Sequence, residues 1–334
     1  MLLGVPRFLF TILALACLFC AAAMPGSAQN PKPTASPTPG VDDQTIVTTI
    51  SRVRLPVTVT DKKGRFIPGL TKGDFTIFED KVPQQIETFS DDVSSQPLYV
   101  AVLMDTSPST AGKLKFQQES AMNFIQTVVK ARKDRVLFGT FDDEINLLQD
   151  FTDKLDLLDK AVFGVKKMGK QTALYDAVWQ FCDEKMRSVP GRRVLLVISD
   201  GEDTYSRANL RDAIDIAQRT ETILFAISTK AGFIATVPGV EAGTVQDKKD
   251  RDLQTLAEET GGMAFFTGDM LSLERSFTKI SNELRAQYLL TYNPTNKQYD
   301  GTFRKIDVKL AQGRGDLKIR TKRGYKAIAD SVAP

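Results

Sequence analysis

Five oxygen-bearing residues are spaced so that they could share one cation. Asp105, Ser107 and Ser109 form a D-x-S-x-S run, Thr172 follows Gly169-Lys170-Gln171, and Asp200 opens the stretch Asp200-Gly201-Glu202-Asp203. Together they offer two carboxylates, three hydroxyls and no nitrogen. Such a set suits a hard divalent ion (magnesium, manganese or calcium) with water completing the coordination. The rest of the chain narrows the chemistry further. It contains no histidine, which excludes Ser-His-Asp and Cys-His mechanisms and histidine-held zinc or iron. Of three cysteines, Cys17 and Cys20 fall in an apolar leader, so the mature chain keeps only Cys182 and can build neither a thiolate cage nor an internal disulfide. Cys182 shares a helical stripe with Leu174 and Val178 and reads as packed core rather than as a reactive thiol. If the hydroxyls bound a cation directly and the carboxylates acted through water, the ion would keep an open, strongly electrophilic position. An Asp or Glu carboxylate from a protein partner suits that position.

These residues need elements to hold them. LYVAVLMD (Leu98–Asp105), VLFGTF (Val136–Phe141), RVLLVISD (Arg193–Asp200) and TILFAIS (Thr222–Ser228) are apolar runs of the kind that forms strands buried on both faces. Helical patterns stand between them: Ala121, Phe124, Ile125 and Val128; Leu155, Leu158 and Val162; Thr172–Ser188; Ala213, Ile216 and Ala217. A helix around Leu253–Glu259 stops at Gly261-Gly262, followed by a short strand at Met263–Phe266 and a last helix over Leu271–Arg285. The alternation predicts an α/β fold with a doubly wound, mostly parallel sheet. Ligands in such sheets bind at the carboxyl ends of the strands, which is where Asp105 and Asp200 fall.

Strand periodicity also flanks this core. Val53, Leu55, Val57 and Val59 alternate, with further short strands at Phe75, Ile77 and Ile86. After Gln287 come Tyr288–Tyr292, Phe303–Leu310 and Leu317–Arg320. Neither set suffices for a domain alone, so the two are predicted to join in one small discontinuous β-sandwich. The predicted organisation is a signal peptide at 1–28, a Pro-rich linker at 29–44, an N-terminal β unit at 45–95, the α/β domain at 96–287 and the closing strands at 288–327.

Met1–Arg7 carries a positive charge, Phe8–Ala23 is almost wholly apolar, and Gly26-Ser27-Ala28 supplies small residues. This is the layout of a secretory leader, with an uncleaved N-terminal anchor as the other reading. The chain is therefore expected to be exported, periplasmic or extracellular, with no membrane span after cleavage. Forty-four basic against 41 acidic residues give a formal charge of +3, too small an excess to argue for nucleic acid. The pairs Lys62-Lys63, Lys166-Lys167 and Lys248-Lys249 read as solvated surface. The insertion Phe233–Gln246 is long enough to be functional and equally well a plain surface loop.

The ordered set Asp105-x-Ser107-x-Ser109, Thr172 and Asp200, with GKQTALYDAV and VISDGED around the last two, resembles the metal-ion-dependent adhesion site of the von Willebrand factor type A family over about residues 97–287. The flanks VTVTDKKGRFIPGLTKGDFTIFED and QYLLTYNPTNKQYDGTFRKIDVKL are similar to a group of exported bacterial proteins well represented in Acidobacteria. The resemblance implies direct ligation by Ser107 and Ser109, Thr172 joining when a ligand binds, and Asp105 and Asp200 acting mostly through water. Asp203 reads as a group supporting the site or, with Glu202, as a solvated acidic loop. Pro108 departs from the small or polar residue often seen there without removing a ligand. A non-enzymatic adhesion module is the function implied. Two others stand beside it: a phosphoryl-transfer hydrolase, for which Ser107 occupies the place of a needed second aspartate and Lys170 is a loose match, and a structural envelope protein. The individual residues can also be read as helix N-caps.

Overall fold

The computed structural model describes residues 52–92, 96–166, 168–230, 247–266, 270–311 and 316–328. The leader, the linker and the insertion 233–246 lie outside the described residues. The central sheet has six strands in the order β10-β9-β8-β5-β6-β7. They are β5 (Leu98–Asp105), β6 (Arg135–Phe141), β7 (Ile145–Thr152), β8 (Arg192–Ser199), β9 (Thr222–Ser228) and β10 (Ala264–Phe265). All pairs are parallel except β6 with β7. The fold class read from the sequence is therefore the one observed.

Helices cover both faces. On one, α1 (Leu114–Val128), α2 (Leu155–Phe163) and α6 (Met270–Arg285) pack Phe124, Val162 and Phe277 against Val100, Val102 and Phe138. On the other, α3 (Leu174–Gln180), α4 (Leu210–Arg219) and α5 (Lys248–Glu259) pack Val178, Ile216 and Leu256 against Leu103, Leu195 and Leu224. Alternate residues of each strand thus feed opposite cores, which is why these strands are apolar throughout. The helix read over 172–188 continues past α3 as a π-type turn, Phe181–Met186. Cys182 lies in that turn, fully buried, and burial pushes its thiol up to about 12. At pH 8 an alkylating reagent should therefore modify it about a thousandfold more slowly than an ordinary thiol, and fully once urea unfolds the chain. Ready labelling of the native protein would contradict the packing.

β7 does not follow from the sequence pattern. It is an antiparallel edge strand, Leu147 and Leu148 are 38% and 46% exposed, and its eight residues show neither alternation nor a continuous apolar run.

The remaining strands form two four-stranded sheets. One runs β13 (Lys318–Arg320), β1 (Val53–Thr60), β11 (Tyr288–Tyr292), β4 (Ile86–Ser90). The other runs β14 (Gly324–Lys326), β12 (Phe303–Leu310), β2 (Phe75–Glu79), β3 (Val82–Gln84). Each mixes strands from before residue 92 and after residue 287. Leu55, Val57, Ile77, Leu290 and Ile306 share a core between them, so they close as a sandwich. One acid is buried there: Glu79 accepts hydrogen bonds from the hydroxyls of Tyr292 (2.7 Å) and Tyr325 (2.9 Å), tying β2, β11 and β14 together. Among the described residues no helix is long and apolar enough to cross a membrane.

Candidate metal-binding edge

In the central sheet, β5 lies between β6 and β8, and the chain passes from β6 and β7 back across β5 to reach β8. The sheet therefore reverses direction at β5, and the crevice outside its carboxyl end is where doubly wound folds bind ligands. Asp105 is the last residue of β5, and Asp200 follows the last residue of β8.

Asp105 is fully buried. One of its carboxylate oxygens accepts the Ser107 backbone N–H at 2.8 Å, and the other accepts the Ser199 hydroxyl at 2.6 Å. Burial raises its pKa to about 6; hydrogen bonds from Ser107 and Ser199 oppose that, and the charge of Asp200 adds to it. Asp200 is 4% exposed. One of its oxygens accepts the Glu202 N–H at 3.0 Å, and the other accepts no hydrogen bond among the described residues. The turn after it depends on Gly201, whose φ of +76° is costly for other residues and whose missing side chain leaves room for the Lys249 carbonyl.

Ser107 is buried and Ser109 exposed, with their hydroxyl oxygens 3.1 Å apart. Thr110 holds this loop in place by donating to the carbonyls of Asp105 (3.1 Å) and Ser107 (2.9 Å), and Gln117 on α1 donates to the Asp105 carbonyl at 2.9 Å. The third segment is tied to both others. Gly169 N–H reaches the Thr106 carbonyl, while Thr204 and Tyr205 N–H both reach the Thr172 carbonyl, each at 2.9 Å. Thr172 itself is 3% exposed. The structure thus brings the three segments carrying Asp105, Ser107, Ser109, Thr172 and Asp200 to one edge.

Asp203 is turned to a local task. It accepts the Ser206 hydroxyl at 2.6 Å and lies 3.4 Å from the Tyr175 N–H at the start of α3. Glu202 pairs with Lys249 at 2.7 Å. Lys170 is exposed, and its backbone N–H donates to Asp143. Two supports were not anticipated from the sequence. Ser199 holds Asp105, and Asp142 accepts the Thr106 hydroxyl at 2.7 Å while its carbonyl accepts the Ala173 N–H at 2.8 Å. The available signal was positional: Asp142 directly follows β6, as Asp200 follows β8.

The donor set fits a hard cation. Among the described residues no group of three or more His, Cys, Asp or Glu could hold a metal; the oxygens gathered at this edge belong to three hydroxyls and two carboxylates. The charge of Asp200 adds to the cost of ionising the buried Asp105, a burden that a cation between them would relieve.

No family model and no curated protein matches this chain. Solved structures with a similar course of chain include an aerotolerance-related membrane protein from Bacteroides fragilis, at 14% identity and a TM-score of 0.44 over 56% of this chain and 98% of that one. The conserved hypothetical protein BatB from Bacteroides thetaiotaomicron gives 14%, 0.43, 56% and 98%. Proximal thread matrix protein 1 from the mussel byssus, with a zinc-occupied MIDAS motif, gives 13%, 0.45, 62% and 49%.

Proposed function

We propose that the α/β layer is a von Willebrand factor type A-like domain whose β5–β8 edge holds a divalent cation, and through it a carboxylate of a protein partner. The observation that carries this reading is the pair of hydroxyls of Ser107 and Ser109, 3.1 Å apart beside the buried Asp105. Ser107 and Ser109 would ligate directly, with Asp105 and Asp200 acting through water and Thr172 joining when a ligand arrives. Magnesium fits this oxygen set, as do manganese and calcium. The ion would supply an electrophilic centre for an Asp or Glu oxygen of the partner. The module binds rather than catalyses: Ser107 stands where a phosphoryl-transfer hydrolase needs its second aspartate, and Lys170 is exposed. The apolar leader and the likeness of the flanks to exported bacterial proteins, the Acidobacteria group among them, support a site of action in the periplasm or outside the cell.

Calorimetric titration of the mature protein with magnesium and with manganese tests the reading. The wild type should bind one equivalent, and Asp105→Ala combined with Ser107→Ala should weaken that binding by about 100-fold or more. Unchanged affinity in the double variant would overturn it.

A further inference from the structure

A cleft of about 560 Å³ opens beside the β10 edge of the central sheet, between the ends of α5 and α6 and the sandwich strands β1, β12 and β13. It lies away from the metal-binding edge. The C-terminal end of α6 is held by Asp134 and Arg192, which stand at the starts of β6 and β8 rather than at their ends.

Seven Lys and Arg side chains and four Asp and Glu side chains line the cleft. All four carboxylates are engaged: Asp61 with Arg65, Glu258 with Arg323, Glu283 with Arg320, and Asp307 with Lys309. Lys63, Lys279 and Lys322, by contrast, have no carboxylate within ion-pair distance among the described residues. The first two are exposed amines at the mouth. The turn Asp61–Arg65, which carries Lys63, lies against Lys279. Gly64 in that turn has a φ of +73°, and a Cβ there would overlap the Lys279 amine. Glycine at this position lets the helix lysine lie against the turn that carries Lys63. Lys322 is 8% exposed; burial lowers its pKa, and the nearby charge of Glu221 offsets part of that. Thr321 also lines the cleft, and its buried hydroxyl has no hydrogen-bond partner among the described residues.

A recess of this size accommodates a small molecule. Two exposed amines at its mouth, with no ion-pair partner among the described residues, add positive charge that a bound anion would meet. We propose that the cleft binds a small, multiply charged oxyanion, whose oxygens meet the amines of Lys63 and Lys279 at the mouth above Thr321 and Lys322. Phosphate and carboxylate groups share this chemistry.

Calorimetry in low-salt, metal-free buffer tests the proposal, with inorganic tripolyphosphate as one probe and citrate as the other. At least one should bind saturably at one equivalent. Saturation by tripolyphosphate alone assigns the site to phosphate groups, and by citrate alone to carboxylates. Lys63→Gln with Lys279→Gln should weaken binding by about tenfold or more, while Ser107→Ala leaves it unchanged. Both lysines are exposed and unpaired, so the double variant should melt with the wild type; if it does not, Lys63→Gln alone should still weaken binding several-fold. Failure of both anions to saturate the wild type, or equal binding by a folded lysine variant, would overturn the proposal.

Discussion

Magnesium at about 100 times its dissociation constant should stabilise the wild-type protein against unfolding by about 2.7 kcal/mol, and Ser107→Ala should abolish the gain. The increment follows from linkage alone, since a ligand that binds only the folded chain shifts unfolding by its saturation. Ser107 is the informative position because its two roles separate. Its backbone N–H holds Asp105, and its carbonyl accepts from Thr110; alanine keeps both. What is lost is the hydroxyl, which faces Ser109 and also hydrogen-bonds the Asp105 carboxylate. The metal-free variant should therefore lose only about 1 kcal/mol, the worth of that one hydrogen bond, while the response to metal disappears. Glu202→Gln provides the contrast: its carboxylate pairs with Lys249, so the magnesium response should persist. Urea unfolding with and without EDTA measures all three proteins. An equal response in wild type and Ser107→Ala would move the cation elsewhere.

The largest loss of intrinsic stability should come from a residue far from that edge. Asp134→Ala is expected to destabilise the fold by about 3–5 kcal/mol. Asp134 is fully buried and accepts the N–H groups of Leu98 (2.9 Å) and Lys130 (2.7 Å) besides its ion pair with Arg285. Arg192 sits alongside, donating to the Leu284 carbonyl and to Gln287, and Gln287 in turn donates to Thr58 in the sandwich at 3.1 Å. Burial, followed by the neighbouring Arg285, lowers the pKa of Arg192 to about 10, and Asp134 offsets part of that. Removing Asp134 would leave two largely buried guanidinium groups without their shared counter-charge. Asp134→Asn should lose less, because an amide oxygen can still accept one backbone N–H. Chemical denaturation reads both variants; a loss under about 1 kcal/mol for alanine would mean that water already screens this cluster.

The sequence is legible where burial is uniform. Strands β9, β11 and β12 match the expected ranges residue for residue, because their patterns are either wholly apolar or cleanly alternating. It is less legible where an element is half dressed by solvent. β7 and the three-residue β14 carry too few buried side chains to stamp a period on the sequence. The site divides in the same way. Asp105 and Asp200 could be read because one ends, and the other directly follows, a strand whose run of apolar residues is unmistakable. Ser199 and Asp142 could not, since their value lies in what they touch across the sheet, 94 and 36 residues away along the chain. Spacing in sequence records neither contact.

The sandwich is interrupted in a way that bears on how the chain reaches its native state. Ser90, where β4 ends, lies opposite Leu289 at the start of β11, and β1 pairs with β11 from Val53 to Val57. Neither sheet can be completed until the strands after residue 287 have been made. Joining them to the first four strands through a disordered intervening chain would carry the entropy of a very long loop. Once the α/β layer has folded, its two ends emerge side by side and that loop becomes, in effect, a short hairpin. The inserted domain should therefore serve as the template for the sandwich, with its own assembly the earlier event. Variants that slow the folding of the α/β layer should then delay pairing of β1 with β11 although they touch neither strand.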